Sequence, residues 1–469
     1  MNRQRLLMFV LVSVLLNTTL ALAHDDLFER KALSPYGPSA QSTKPDANRP
    51  LPTHQAAVEN LNLLDQLPGL PTTGKTTFRE FMQRVEGSNL DLAAQRFNVP
   101  IAQAQLLAAR IYPDPAFQSG YGGDVSGQRQ ETTYAGGLSQ TFPLGGKIGA
   151  RAEAANAALQ ASQAQLSDFL RNLRAQAADS YIDAVTEMLM LQRGLKALQR
   201  AQQLLNTRRA EAKKGSEDSV MRARINELEA RSNQVIGYES SLHQTLVAMA
   251  TLAGEESRDA LVVPTGSLDI PARQFSLEEL VAKAVSSRSD VIVAARGLKS
   301  ARAQYRLARA NRVPDLTVVG SYAHTTRITN PTDPAPAWDS LGVSLSIPIP
   351  LSNLNQGPAQ AAYYSQLQAE RVLQATRLRA ASDVRSAYER YALSLVAVRQ
   401  FADELLHDAD PVYELRLLKL QKNAATLVDV LDTHRALNKL YFDYYAALNE
   451  QAKALVALEQ SGGVWDIDF

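Results

Sequence analysis

An internal duplication restricts most strongly how this chain can fold. Two similar stretches begin at Asn89 and Asp290, and each reaches a proline that ends a helical pattern, at Pro113 and Pro314. Asn89 and Asp290 are 201 residues apart, and Pro113 and Pro314 are also 201 residues apart. A fixed offset of this kind indicates a structural unit that is built twice. The two halves must therefore be interpreted in the same way.

Each half opens with a helix-start signal and continues into a strand pattern. The capping-box spacing of Thr77 with Glu80 recurs in Ser276 with Glu279, and it predicts a short helix in each half. After each proline the period changes to two, as in Leu341, Val343, Leu345 and Ile347 with Ser and Gly between them. The pattern predicts one β-hairpin per half, at about residues 116–142 and 315–349.

The predicted strands suit a bilayer. Strands of about 8–12 residues cross a membrane when they are tilted, and the strand regions carry the aromatic residues typical of an interfacial belt: Phe117, Tyr121, Tyr134, Phe142, Tyr322 and Trp338. The alternative is a pair of soluble hairpins packed on helices, because an apolar face opposite a Ser/Gly face also fits an ordinary half-buried sheet.

Very long helices should follow each hairpin. No proline lies between Leu144 and Val263, and this interval is rich in strong helix formers. We expect helices at about 147–214 and 217–254 in the first half, and at about 358–422 and 426–461 in the second, with a short C-terminal tail. At about 1.5 Å per residue the first would extend about 100 Å.

The amino terminus has the pattern of a secretory signal. Two arginines precede an apolar run, and the small residues Ala21 and Ala23 precede the expected cleavage point. The predicted organisation is a signal peptide at 1–23, an extended Pro-rich segment at 24–75, a first repeat at 76–263 and a second at 264–469.

Composition argues against several classes of function. Lys and Arg number 49 against 48 Asp and Glu, so a nucleic-acid partner is not expected. The absence of cysteine argues against disulfides, Cys-ligated metals and a lipid anchor. No common catalytic or phosphate-binding signature is present. We therefore expect no enzyme activity, no cofactor and no bound metal.

The predicted elements require an oligomer. Four strands cannot close a membrane barrel, and open strand edges are not tolerated in lipid. Long amphipathic helices rich in small residues likewise cannot bury both of their faces within one chain. Several chains must therefore combine.

The duplicated order of short helix, proline, hairpin, proline and long helical pair resembles the TolC-type outer-membrane efflux proteins over nearly all the mature chain. The sharpest matches are Thr426–Asp432 and Phe142–Lys147. The resemblance implies a mainly α fold with a small β part that assembles as a homotrimer, with a 12-stranded barrel in the outer membrane, a 12-helix periplasmic tunnel and a small mixed belt. It also implies outer-membrane lipid, a periplasmic adaptor and an inner-membrane pump of the RND type as partners, in a Gram-negative bacterium.

The same resemblance places Asp429 and Asp432 at a periplasmic aperture, where threefold symmetry would gather six carboxylates. The alternative is that these acids only complement the dipole at the start of a helix. Candidate contacts that lock the tip are Lys213, Lys214, Arg222 and Lys422. Pro411 is a candidate kink or hinge. The candidate strand-to-helix swivels are Pro143, Gly145, Gly146, Pro348 and Pro350.

The functional expectation is a passive exit duct from periplasm to exterior. The Phe142–Lys147 segment resembles the heavy-metal branch of the family, which suggests heavy-metal cations as cargo. The alternatives are a drug-efflux or type I secretion duct and, in another class, a soluble periplasmic coiled-coil adaptor.

Overall fold

The computed structural model describes residues 74–123, 131–211, 217–255, 262–265, 268, 270, 272–327, 335–349, 355–401, 406–422 and 424–466. These residues all belong to one compact unit, which begins at Leu64. The expected signal peptide lies outside the described residues, as does nearly all of the Pro-rich segment. None of the helices in the described ranges is long and apolar enough to cross a membrane.

The first half runs through two short helices, one hairpin and two long helices. In chain order its elements are β1 (Gly74–Thr76), α1 (Phe78–Ser88), α2 (Leu90–Ala109), β2 (Ala116–Gly123), β3 (Thr132–Phe142), α3 (Lys147–Glu211) and α4 (Glu217–Leu252).

The second half repeats this order, and its first long helix is described as α7 and α8, with residues 402–405 between them outside the described residues. Its elements are β4 (Val262–Pro264), α5 (Leu277–Ser287), α6 (Ser289–Ala310), β5 (Leu316–Thr325), β6 (Trp338–Ser346), α7 (Gln356–Arg399), α8 (Leu406–Gln421) and α9 (Leu427–Gly462).

The helix starts show how local sequence sets the boundaries. At α1 the Thr77 hydroxyl accepts from the Glu80 amide, and the Thr77 amide donates to the Glu80 carboxylate, at 3.3 and 3.0 Å. At α5 the Ser276 hydroxyl accepts from the Glu279 amide at 3.5 Å. The second bond of a capping box, from the Ser276 amide to the Glu279 carboxylate, is not formed. The first predicted capping box is therefore complete, and the second has only its hydroxyl half.

The strands of the described residues form two separate sheets. β1 and β4 pair in parallel, which joins the two halves at the start of each repeat. The other sheet has the antiparallel order β2-β3-β5-β6, so the two hairpins lie side by side through β3 and β5.

The main core lies where the short helices pack against the long ones. On α3, Tyr181 is 1% exposed, and its ring contacts Phe78 and Phe81 at centroid distances of 5.4 and 5.9 Å. Its hydroxyl donates to the carbonyls of Thr76 and Thr265, at 3.1 and 2.7 Å. We call the layer formed by α1, α5, β1, β4, Thr265, Leu268, Ile270 and residues 272–275 the belt. Burial of its aromatic and aliphatic side chains ties the two halves together.

The long helix of the second half changes its geometry upstream of Pro411, the predicted kink. The regular helix α7 ends at Arg399 and α8 begins at Leu406, and residues 402–405 between them lie outside the described residues. Pro411 lies inside α8. A π-helical turn at Gln400 and Phe401 follows α7 directly. The change in helix geometry therefore comes before Pro411 rather than at it.

Candidate duct wall and periplasmic tip

One face of the four-stranded sheet is apolar and exposed. The strand register aligns Phe117, Leu138, Gly320 and Val343 across the sheet. Their neighbours on β6, Leu341 and Leu345, are 85% and 68% exposed, and Val343 is 76% exposed. In water such a surface would be costly, whereas a lipid surround would match it.

The opposite face carries small and hydroxyl side chains. The hydroxyls of Thr133 and Thr325 lie 3.2 Å apart, and those of Thr141 and Thr317 lie 3.1 Å apart across the β3–β5 pair. Aromatic side chains lie near the loop end of the apolar face, where the ring centroids of Tyr121 and Tyr134 are 5.4 Å apart. The sheet therefore has a lipid-compatible face and a water-compatible face.

The two edges of this sheet are open. β2 and β6 each pair on one side only within the described part of the chain. Their outer amide and carbonyl groups need partners if the sheet enters a bilayer, because each unsatisfied group there costs several kcal/mol.

The candidate swivel after the first hairpin contacts the second repeat. Gly145 and Gly146 both have left-handed backbone angles, with φ of 68° and 72°. A side chain at Gly145 would also meet Val313, whose atoms lie 2.8 Å from an added Cβ. The Lys147 ammonium, which is nearly buried, lies 2.5 Å from the Asp315 carboxylate, and the Leu144 amide donates to the same carboxylate at 3.3 Å.

This cross-repeat ion pair fixes where the strand turns into the helix. Sequence reasoning marked Pro143, Gly145 and Gly146 but missed Asp315, although that residue directly follows Pro314 in the equivalent half. In the second hairpin Pro348 lies between β6 and α7, and Pro350 lies outside the described residues.

At the expected periplasmic tip, where α9 begins, Asp429 caps the helix and Asp432 pairs locally. The Asp429 carboxylate accepts from the Thr426 amide at 3.0 Å and from the Thr426 hydroxyl at 2.7 Å. These bonds from Thr426 hold the pKa of Asp429 below its usual range. Asp432 accepts from Arg435 at 3.0 Å, and 61% of its side chain is exposed. Both carboxylates stand on the first turns of α9.

The candidate locking residues are only partly described. Lys213 and Lys214 lie outside the described residues, and for Arg222 only a backbone position in α4 is described. Lys422 is exposed in the turn after α8, where its amide donates to the Leu418 carbonyl at 3.2 Å.

Sequence reasoning also missed a contact that anchors α8 to its neighbours. The Arg193 guanidinium lies 3.6 Å from the centroid of the Tyr441 ring and donates to Asn438 at 3.1 Å. The Tyr441 hydroxyl donates to Asp410, next to Pro411, at 2.6 Å. A cation–π contact and two polar bonds therefore connect α3, α9 and α8.

Comparison with known proteins agrees with this architecture. Residues 280–464 match the model of the family described as outer membrane efflux protein. The cobalt-zinc-cadmium resistance protein CzcC of Cupriavidus metallidurans is 23% identical over 392 residues, which cover 82% of this chain and 90% of that protein. The pyoverdine export outer membrane protein OpmQ of Pseudomonas putida is 26% identical over 417 residues, covering 83% and 86%.

Solved structures share the fold. The open state of the MtrE outer membrane channel of Neisseria gonorrhoeae matches with a TM-score of 0.68 and 19% identity, over 83% of this chain and 89% of that one. A CusC structure matches with a TM-score of 0.66 and 17% identity, over 83% and 93%. The predicted fold class, mainly helical with a small β part, is confirmed. Residues 280–464 thus match the outer membrane efflux protein family, the chain shares the fold of solved outer-membrane channels, and the protein is an outer-membrane channel component of a tripartite efflux system.

Proposed function

We propose that three copies of this chain close one passive duct, through which heavy-metal cations leave the periplasm. The observation that carries the duct is the sheet with an apolar exposed face and two open edges, β2 and β6. Pairing β6 of one copy with β2 of the next satisfies both edges, and three four-stranded sheets then make a barrel of about twelve strands, an even number within the range of such barrels.

The cargo assignment is supported by similarity and by charge. CzcC is a cobalt-zinc-cadmium resistance protein, and its alignment with this chain is long. Asp429 and Asp432 stand at the start of α9, and a ring of such carboxylates would concentrate cations at an aperture. OpmQ, a pyoverdine export protein, supports pyoverdine as a second candidate cargo.

Members of this family act with an adaptor and an inner-membrane pump. For a metal cargo we propose a pump of the RND type, which would supply the energy, while this chain offers only the exit path. Its work is then permeation rather than catalysis.

A growth experiment separates the two cargoes. The gene is deleted in its native host, and growth is measured in increasing zinc, cobalt and cadmium, while secreted pyoverdine is followed by its fluorescence. A metal duct predicts hypersensitivity to the metals with unchanged secretion, restored by the parent gene. Normal metal tolerance with reduced secretion would contradict the metal assignment and favour the second cargo.

A further inference from the structure

Three long helices, α3, α7 and α9, share a side that packs against the belt. Tyr181 of α3 bonds to the belt carbonyls described above. On α7 the Tyr391 hydroxyl accepts from the Arg273 amide at 3.0 Å. On α9 the Gln451 side chain donates to the Ile270 carbonyl at 3.4 Å. These three side chains define the belt side of the helical layer.

Charged side chains collect on the other side of the same layer. Asp179 and Asp183 are each two positions from Tyr181, so at about 100° per residue they lie nearly opposite it on α3. Lys453 stands in the same relation to Gln451 on α9. If three chains enclose a duct with their belts outside, this side of the layer faces the lumen.

Most of these charges are paired. Lys453 lies 2.7 Å from Asp183, which also accepts from Asn449 at 2.9 Å. Arg390 of α7 makes a two-pronged contact with Glu450 of α9, at 2.5 and 2.9 Å. We call Asp179, Asp183, Arg390, Glu450 and Lys453 the wall patch.

Asp179 differs from the other members of the wall patch. Among the described residues no hydrogen bond or ion pair to its carboxylate is formed, although Asp183, Lys453 and Arg390 all act on it electrostatically. Burial, reinforced by the negative charge of Asp183, raises the pKa of Asp179 to about 6 against the pull of the two cations. Glu450 faces the same region but is neutralised by Arg390, which helps to lower the pKa of Glu450.

We propose that Asp179 is a selectivity-determining residue of the duct wall at the level of the belt, and that its protonation switches the wall patch from net negative to neutral. With all members ionised the patch holds three acids and two bases, and without the Asp179 charge it holds two of each. In a trimer three such patches change together. This inference rests on the proposed duct but is separate from the aperture at Asp429 and Asp432.

The test is a reversal-potential measurement on the purified channel in planar bilayers under a KCl gradient, repeated from about pH 7.5 to about pH 5. The parent should lose about half or more of its cation-over-anion permeability ratio as the pH falls through about 6, because the patch becomes neutral below the pKa of Asp179. Asp179→Asn should have the lower ratio throughout and should lack the step.

Two further variants sharpen the result. Glu278→Gln removes one exposed carboxylate on the belt side, so it should keep the step. Lys453→Gln removes a cation that stabilises the Asp179 carboxylate, so it should move the step to higher pH, and this holds even if Asp179→Asn fails to assemble. A parent without the step, an Asp179→Asn channel that keeps it, or a Lys453→Gln step that does not move would overturn the inference. A parent that forms no pores overturns the proposed duct and the inference with it.

Discussion

Single residues in this chain often have two roles that only separate variants can resolve. Asp429 completes the capping box of α9 with Thr426, yet it also belongs to the acid pair that the family resemblance places at the aperture. Helix capping depends on a hydrogen-bond acceptor, whereas ion selectivity depends on charge. The two roles therefore respond to different substitutions.

We predict that Asp429→Asn combined with Asp432→Asn lowers the cation-over-anion permeability ratio, because it removes the charge while retaining an acceptor oxygen at both positions. The matched control is Thr426→Ala, which breaks the capping box at a cost of about 1 kcal/mol but keeps both charges. Bilayer recordings measure the ion selectivity of both variants, and thermal melts measure their stability. If the double variant keeps the parent selectivity, these acids have only local structural roles at the start of α9.

At the scale of elements, the sequence pattern predicted the helices and strands that depend on local periodicity. The hairpins follow from period-two alternation, and α1 follows from the Thr77 capping box. The ion pair of Lys147 with Asp315 was not predictable, because its partners are 168 residues apart and meet only after the repeats pack. The same holds for Arg193 on Tyr441.

The change in helix geometry directly after α7 was not predictable from local sequence either. Proline is the strongest local helix breaker, so the sequence pointed to Pro411. The helix nevertheless continues through Pro411, and α8 is bonded to α9 through the adjacent Asp410. The π-helical turn lies at Gln400 and Phe401 instead, and Pro411 as a kink or hinge remains a prediction.

The apolar face of β6 gives the sharpest test of an element. Val343→Lys and Leu345→Lys should each destabilise the membrane-inserted sheet by about 2–4 kcal/mol if they face lipid near the midplane. Ser344→Lys is the matched control, because Ser344 lies on the opposite face of the same strand. We expect the first two variants, but not the control, to lose the oligomer band on a non-denaturing gel of the membrane fraction. Equal assembly of all three would contradict the membrane assignment.

At the scale of the whole molecule, the account depends on closure between chains. Within one chain β2 and β6 are the two outer strands of the sheet and are separated by β3 and β5. With neighbouring strands about 4.8 Å apart, the two edges of one flat sheet are about 14 Å apart. A disulfide needs Cβ atoms within about 4.5 Å, so cysteines on these strands can join only different chains.

The absence of natural cysteine makes this test direct. Gly120→Cys in β2 is combined in turn with Ser340→Cys, Gly342→Cys or Ser344→Cys in β6, because barrel closure shifts neighbouring strands in register. After mild oxidation in native membranes, the account predicts that at least one pair gives denatured bands at two and three chain masses and none larger. Chains that remain monomeric in every pair while inserted in the outer membrane, or a ladder that extends beyond three, would contradict a closed trimeric duct.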